Sequence, residues 1–421
     1  MAPSSDPEAS SPLVLDRDRL VETMREQAEI GKTAEGGLHR LTLSDADREA
    51  RDWLIDAMED AGLSVRVDEI GNVFGRREGS DPDAAPVLVG SHLDSQPDGG
   101  IYDGALGVVA ALETVRALND EGLSTERPIE VVNWTNEEGS RYQPSLSGSG
   151  VWAGAYDLDE VLDAEGVDGT TLGEELERIE YAGDEPAEPR EPYEAYLELH
   201  VEQGPYLEDA GADVGVVTGV VGYSWGDVTF DGDADHTGPT PMHDRRDALV
   251  AAADAVIGIR RLGGVLGDRT VASVGSLAVE PNSVNVVPGE VTLTWDVRDI
   301  DADVLAAGVE RTTAAVERAA AREGVDVEWT EVMRVPPVEF PDRTVETVAG
   351  AATDLGYDAM RLPSGAGHDA SYAAEVCDAG MVFAVSEDGV SHAPHEYTSW
   401  DDCHAAASVL AEATRRLAVT E

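Results

Sequence analysis

The chain has 421 residues, 42% hydrophobic and 27% charged, a composition that excludes a wholly disordered polypeptide and allows two or three domains with substantial cores. Asp and Glu number 85 while Lys and Arg number only 29, so the formal net charge is −56. Because there is no basic surplus to neutralise phosphates, we expect the protein to bind neither nucleic acid nor an anionic membrane surface.

The negative charge is spread along the whole chain. Lys32 is the only lysine, and acidic residues occur in nearly every segment rather than in one tail. Like charge of this density destabilises a compact state unless salt screens it, so the composition predicts a halophilic protein. Cys377 and Cys403 are too few for a disulfide framework, and no apolar run approaches the ~18 residues of a membrane span. The N-terminal residues lack the pattern of a signal peptide, and we expect a cytoplasmic protein.

The first half of the chain alternates between predicted helices and strands. The predicted elements are a helix over 44–61, a strand or hairpin over 65–75, a strand over 86–90, a helix over 105–119, and strands over 129–134 and 196–200. This order is typical of an α/β domain, in which ligands bind at the carboxyl ends of the strands. The very acidic stretch from 157 to 194 is interpreted as a solvated surface insertion.

The pattern changes at about residue 214. The predicted elements there are strands over 214–221 and 225–231, a helix over 248–262, strands over 271–279 and 291–297, and a helix over 304–322. We therefore expect a small α+β domain, residues 214–328, inserted into an α/β domain formed by residues 1–213 and 329–421. The latter ends in a predicted helix over 403–417.

Polar side chains with metal-binding chemistry follow two of the apolar strands. His92 and Asp94 come directly after the strand at 86–90, and residues two apart in extended chain face the same way, so Asp94 can orient the ring of His92. Glu137 and Glu138 follow the strand at 129–134, where one carboxylate can bind a metal while the other moves a proton. The simpler alternatives are a structural hydrogen bond for His92 and solvated charges for the two glutamates.

Three further residues complete this set of candidates. Asp103 lies in a glycine-rich loop before a predicted helix, where it could bridge two cations or cap the helix. His200 and His392 lie in the segments ELHVEQGP and SHAPHE, although a single histidine is more often an ordinary core or surface residue.

Taken in order, these residues resemble the ligands of the dinuclear-metal hydrolases of the M20 type, and most closely those of the hydantoinase/carbamoylase branch. That branch includes N-carbamoyl-L-amino-acid hydrolases, β-ureidopropionases and allantoate amidohydrolases. The resembling stretches are GSHLDSQPDGGIYDGALGV (90–108), NEEGSRYQPSLSGSGVWAG (136–154), ELHVEQGP (198–205), DHTGPTPMHDRRDAL (235–249), PNSVNVVPGEV (281–291), GAGHDA (365–370) and SHAPHE (391–396).

The resemblance implies a mixed-sheet metallohydrolase catalytic domain that binds two divalent ions. Zn²⁺ is the first choice, and Mn²⁺, Co²⁺ and Ni²⁺ also suit histidine and carboxylate ligands. The implied metal ligands are His92, Asp103, Glu138, His200 and His392, with Asp103 bridging the two ions. Glu137 resembles the general base and acid, and Asp94 the residue that orients His92.

The inserted domain resembles a lid that also forms a homodimer. In it, His236 resembles the histidine that stabilises the developing oxyanion, usually supplied by a neighbouring subunit. Asn285 and Arg298 resemble a substrate-binding pair, since an arginine fork suits a carboxylate, although Arg298 could instead pair with a nearby aspartate. Gln203 and His368 are candidate contacts to the ureido group of a small substrate that also carries a carboxylate.

The expected reaction is hydrolysis of N-carbamoyl-L-amino acids, or of 3-ureidopropionate, to the amino acid, carbon dioxide and ammonia. Allantoate amidohydrolase is the alternative, followed by an M20 aminoacylase or dipeptidase and by a non-catalytic binding protein derived from the family. The sequence 148–153, GSGVWA, fits a dinucleotide-binding pattern, but it does not follow a buried strand, and we reject a dinucleotide site.

Overall fold

The computed structural model of the protein describes residues 11–419. The chain forms two compact units, one made of the chain before Gly219 and from Phe340 onward, the other of Gly219–Glu339. The inserted unit therefore differs from the predicted 214–328. Residues 215–217 still pair with a strand of the first unit, and residues 326–335 pair with a strand of the second.

The strands are, in chain order, β1 (Ser64–Val67), β2 (Val73–Arg77), β3 (Val87–His92), β4 (Ile129–Trp134), β5 (Ala195–Val201), β6 (Val214–Val220), β7 (Gly222–Asp231), β8 (Asp235–His236), β9 (Val271–Ser273), β10 (Leu277–Glu280), β11 (Val286–Val287), β12 (Glu290–Asp299), β13 (Asp326–Val335), β14 (Val338–Glu339), β15 (Ala359–Ser364) and β16 (Asp378–Ala384).

The α-helices are α1 (Arg17–Gln27), α2 (Asp45–Asp60), α3 (Ala105–Asp120), α4 (Ser147–Trp152), α5 (Leu158–Leu162), α6 (Leu172–Ile179), α7 (Tyr206–Ala210), α8 (Ala248–Arg260), α9 (Ala302–Glu323), α10 (Asp342–Leu355), α11 (Ala370–Ala373) and α12 (Trp400–Ala418). Within the described part of the chain, none of them has the length and apolar composition that crossing a membrane requires.

The first unit is built on a mixed sheet whose strands follow the order β1-β2-β4-β3-β5-β16-β6, with β15 beside β6. Its central strands β4, β3, β5 and β16 are parallel, while β2 and β6 run antiparallel to their neighbours. β3, β4 and β5 are buried at every residue, and the alanine-rich helices α3 and α12 pack against the sheet. The four parallel strands therefore end at one edge, where polar side chains can meet.

The second unit is an antiparallel sheet in the order β10-β12-β7-β13, with β9 beside β12. Helices α8 and α9 pack on this sheet, and Phe230, Trp295 and Val316 lie in their shared core. The small pair β8 and β11 joins His236 to Val286. The mixed α/β first unit and the α+β second unit confirm the predicted fold class.

Of two segments interpreted from the sequence, one, the acidic stretch, differs from its prediction. The acidic stretch at 157–194 is partly packed rather than a solvated insertion, because α6 buries Leu172, Leu176 and Ile179 and begins with a capping box between Thr171 and Glu174. The GSGVWA segment forms most of α4. A Cβ on Gly148 would lie 2.5 Å from the backbone nitrogen of Thr135, so this glycine permits close packing against the end of β4.

Candidate dinuclear metal site

His92 is the last residue of β3 and is completely buried. Its Nδ1 lies 3.0 Å from the backbone oxygen of Asp94 and 3.6 Å from the Asp94 carboxylate. Since a carbonyl oxygen only accepts, Nδ1 carries a proton, and Nε2 is the ring nitrogen on the side where a metal could bind. Asp94 thus orients the ring mainly through its backbone, while its carboxylate accepts hydrogen bonds from the amides of Glu137 and Glu138, both at 3.3 Å.

Asp103 lies two residues before α3, and the helix N-cap is Gly104, not Asp103. The Asp103 carboxylate points towards both histidines, with Oδ1 3.5 Å from His92 Nε2 and 3.1 Å from His200 Nε2. Gly104 has a φ of +62°, and a Cβ there would lie 2.4 Å from the His92 ring. A glycine is therefore required where the chain passes this ring.

Glu137 and Glu138 follow β4 and point to different neighbours. Glu137 Oε2 lies 3.6 Å from His92 Nε2, whereas Glu138 Oε2 lies 3.5 Å from His392 Nε2. Gln96 holds Glu138 by donating its backbone N–H to Oε1 at 2.9 Å and its side-chain amide to Oε2 at 2.8 Å. The two adjacent glutamates can therefore take different roles.

The remaining histidines come from β5 and from the segment after β16. His200 in β5 donates from Nδ1 to the backbone oxygen of Val201 at 3.0 Å, and its Nε2 accepts from the Gly104 backbone N–H at 3.3 Å and faces Asp103 Oδ1 at 3.1 Å. His392 lies in an irregular segment with a φ of +53°, its side chain is 50% exposed, and its Nε2 is 3.5 Å from Asp103 Oδ2. Ligand candidates thus come from the ends of all four parallel strands.

These residues form two groups that share one carboxylate. We call His92, Asp103 and His200 the first cluster, and Asp103, Glu138 and His392 the second cluster; within each, potential ligand atoms lie within 4.8 Å of one another. His92 Nε2 is buried and has no hydrogen-bond partner among the described residues. Imidazole nitrogens and carboxylates arranged around a shared aspartate are a donor set that fits two divalent cations.

The electrostatics of the site fit a cation as well. Burial raises the pKa of Glu137 well above its ordinary value, that of Glu138 to about 8, and that of Asp94 to about 6. Burial lowers the pKa of His92, but Glu137, Asp103 and Asp94 together raise it well above its usual range. A divalent cation would relieve this concentration of buried negative charge.

Gln203 and His368 lie beside the two clusters. Gln203 donates to Asp103 Oδ2 at 2.9 Å, while its own Oε1 is buried without a hydrogen-bond partner among residues 11–419. His368 Nε2 lies 2.8 Å from Ser364 Oγ, and its ring centroid is 4.6 Å from that of His200. Burial holds the pKa of His368 well below its ordinary value.

The other predicted residues belong to the second unit. His236 in β8 is exposed and adjoins Asn285, whose backbone oxygen accepts from Thr237 at 3.1 Å. Arg298 in β12 forms an ion pair with a nearby aspartate, the alternative to substrate binding that the sequence left open; its Nε lies 3.0 Å from Asp296 Oδ1. One face of its guanidinium lies over the Tyr223 ring, at 5.4 Å from the centroid.

Some residues that build the site were not predicted from the sequence. Gln96 holds Glu138, and Glu198, buried in β5, accepts from Ser91 Oγ at 2.8 Å and from Tyr196. Glu396 contacts the loop of Asp103. Gln96 and Glu396 lie within the motifs SHLDSQP and SHAPHE. Their closeness in sequence to the candidate ligands is the signal that could have pointed to them.

Comparison with known proteins agrees with this geometry. The model of peptidase family M20/M25/M40 matches residues 88–416, which include both clusters. The chain belongs to the M20/M25/M40 family. The resemblance predicted from the sequence is thereby confirmed.

Within this family the chain is similar to proteins of the hydantoinase/carbamoylase branch. It is 43% identical over 393 residues to an N-carbamoyl-L-amino-acid amidohydrolase of Rhizobium meliloti, covering 93% of this chain and 94% of that protein. The crystal structure of a hydantoinase/carbamoylase family amidase from Burkholderia multivorans superposes with a TM-score of 0.94 at 45% identity, covering 97% of this chain and 99% of the other. A ureidoglycolate hydrolase of Arabidopsis thaliana is 32% identical over 422 residues, which cover 97% of this chain and 88% of that protein.

Proposed function

We propose that this protein hydrolyses the ureido C–N bond of N-carbamoyl-L-amino acids, or of 3-ureidopropionate, to give the amino acid, carbon dioxide and ammonia. The observation that carries the proposal is the pair of clusters sharing Asp103, with Glu137 beside them. The similarity to N-carbamoyl-L-amino-acid amidohydrolases at up to 43% identity supports the substrate class.

The proposed cofactor is a pair of divalent cations, with His92, Asp103 and His200 as ligands of one and Asp103, Glu138 and His392 as ligands of the other. When bound, such ions lower the pKa of water and polarise a substrate carbonyl. Zn²⁺ is the first choice, and Mn²⁺, Co²⁺ and Ni²⁺ fit the same ligands.

Glu137 is the proposed proton carrier. It accepts a proton from the attacking water and returns it to the departing nitrogen, which leaves as ammonia or as the amine of the amino acid. Burial favours the protonated form of Glu137, which suits its second task. Asp94 fixes the direction of the Glu137 backbone through the amide of that residue. Gln203 and His368 are proposed to contact the ureido group.

The second unit is proposed to recognise the rest of the substrate. His236 would stabilise negative charge developing on the carbonyl oxygen, Asn285 would bind substrate beside it, and Arg298 would bind the carboxylate. In the structure, Nε and Nη2 of Arg298 pair with the Asp296 carboxylate at 3.0 and 3.3 Å.

We further propose a homodimer through the second unit, in which His236 of the partner subunit completes each active site. Mixing inactive Glu137→Gln with inactive His236→Ala protein tests this arrangement. Random exchange produces mixed dimers with one intact site, and activity should return to about a quarter of the wild-type level. If the subunits exchange and activity does not return, then His236 acts in the active site of its own chain, or it is not part of an active site.

A second candidate reaction is hydrolysis of another ureido acid, ureidoglycolate or allantoate. The 32% identity with a plant ureidoglycolate hydrolase favours it, because that similarity also covers 97% of this chain. Both candidates use the same two clusters, so only the substrate distinguishes them.

The deciding experiment measures ammonia release by the metal-loaded protein in molar KCl. The panel contains N-carbamoyl-L-amino acids, 3-ureidopropionate, ureidoglycolate, allantoate and N-acetyl amino acids, with amino-acid release followed for the last group. Turnover of carbamoyl amino acids with allantoate and ureidoglycolate silent supports the first proposal. Turnover of those two alone supports the second candidate, and acetyl cleavage alone points to an aminoacylase. A folded, metal-loaded protein inactive on the whole panel contradicts both reactions and favours the binding-protein alternative.

A further inference from the structure

The segment that carries His392 is tied to the loop of Asp103 by one buried carboxylate. Glu396 is 5% exposed, and its Oε1 accepts from the Asp103 backbone N–H at 3.2 Å. Its Oε2 accepts from Ser391 Oγ at 2.9 Å. Ser391 Oγ also lies 3.2 Å from Asp103 Oδ2. Glu396 therefore connects the shared ligand to the residue directly before His392.

The local packing is shaped to admit this carboxylate. A Cβ on Gly100 would lie 2.1 Å from Glu396 Oε1, so a glycine is needed where the loop passes it. Ser391 receives a hydrogen bond from Gln203 Nε2 at 3.1 Å and has its own proton left to donate to Glu396. The contact between Glu396 and Asp103 joins parts of the chain 293 residues apart.

His392 needs such an anchor more than the other proposed histidine ligands do. His92 and His200 are buried members of β3 and β5, whose pairing fixes their positions. His392 belongs to no helix or strand, and its side chain is half exposed. Its distance from Asp103 and Glu138 therefore depends on how residues 391–396 are attached.

We propose that Glu396, acting through Ser391 and the Asp103 backbone, is a positioning residue that sets the affinity of the second cluster for its cation. The proposal rests on the proposed two-ion function. It predicts that the second cluster loses more affinity than the first when these hydrogen bonds are removed, because they hold both Asp103 and the segment of His392 in the second cluster but only Asp103 in the first.

The test is a calorimetric titration of metal-free protein with Zn²⁺ or Mn²⁺, in which the wild type should show two binding steps. Loss of one step in His392→Ala assigns that step to the second cluster. We expect Glu396→Ala to weaken this step about 10–100-fold and to change the other by less than about 3-fold. Ser391→Ala, which keeps the carboxylate, should weaken the same step about 10-fold.

Two further variants separate hydrogen bonding from charge. Glu396→Gln should bind both ions nearly as the wild type does, since its amide oxygen can accept from Asp103 and its NH₂ can donate to Ser391. Glu387→Gln removes an exposed carboxylate from the same part of the chain and should change neither step.

The outcomes distinguish the proposals. Equal weakening of both steps by Glu396→Ala, no weakening, or the same loss in Glu396→Gln would overturn the positioning role. If Glu396→Ala does not fold, an unchanged titration of Ser391→Ala overturns it instead. If the wild-type protein binds no ion, the proposed two-ion function is itself refuted, together with the positioning role of Glu396.

Discussion

A methyl group at position 104 would overlap the His92 ring in the first cluster. In Gly104→Ala, the new Cβ would lie 2.4 Å from Cε1 and Nε2 of His92, whereas ordinary contacts begin near 3.4 Å. Backbone on either side cannot yield readily, because α3 starts at the next residue and is buried there. The His92 ring must therefore move by about 1 Å.

This movement is large compared with the tolerance of a metal bond. Metal–ligand distances hold to about 0.2 Å, so a shift of about 1 Å removes His92 as a ligand. We expect the first cluster to lose affinity by about 100-fold, which corresponds to about 2.8 kcal/mol. The alanine also carries a backbone cost of about 1–2 kcal/mol, because Gly104 has a φ of +62°.

The chain offers a matched control for that backbone cost. Gly122 has a φ of +63°, and a Cβ there would meet nothing within 4 Å. Gly122→Ala should therefore lose stability without losing metal. Metal content is measured after gel filtration, and competition with a chelator gives the metal affinities. Thermal unfolding in EDTA gives the stability of each metal-free variant. Wild-type affinity for both ions in Gly104→Ala would refute the inferred position of His92 as a ligand.

Four other predictions concern the proton carrier, the substrate, salt and pH. Glu137→Gln should keep both ions in metal analysis yet lose turnover about 10³-fold or more, and loss of an ion would instead make Glu137 a ligand. Arg298→Lys should raise KM about 10–100-fold because it loses the two-pronged contact with a carboxylate, and an unchanged KM would remove Arg298 from substrate binding. The melting temperature should rise steeply with KCl up to molar concentrations, since the net charge is −56, and a flat curve would contradict the halophilic assignment. Burial raises the pKa of Asp68 to about 7, so its folded form binds a proton more tightly than the unfolded chain, and stability falls as pH rises from about 4 to about 7. Relative to Asp68→Asn, the wild type should lose about 1.4 kcal/mol of unfolding free energy per pH unit in that window, and a constant difference would contradict the raised pKa.

The sequence was most informative where strands end. The buried runs before His92 and Glu137 are short and apolar, and each is followed at once by polar residues, so both strands and their ligand candidates could be located. Helix α3 was equally clear, because its apolar residues continue for four turns after Gly104. The family resemblance then connected these residues to His200 and His392.

Other features depend on contacts that no local pattern encodes. Gln96 binds Glu138 across 42 residues, and Glu396 binds the Asp103 loop across 293. The predicted start of the inserted unit was early because β6 and β7 follow one another almost without interruption, so their alternation reads as one region. Helix α1 was not predicted, since its buried face is small and lies among charged residues.

The strand order also determines when each part of the site can be made during synthesis. Strands β1 to β5 lie before residue 202 and form one continuous half of the sheet, and all members of the first cluster are within that segment. His392 is synthesised only after the whole inserted unit. A nascent chain therefore contains every residue of its first cluster once residue 200 has been made, whereas the second cluster must wait until translation is nearly finished.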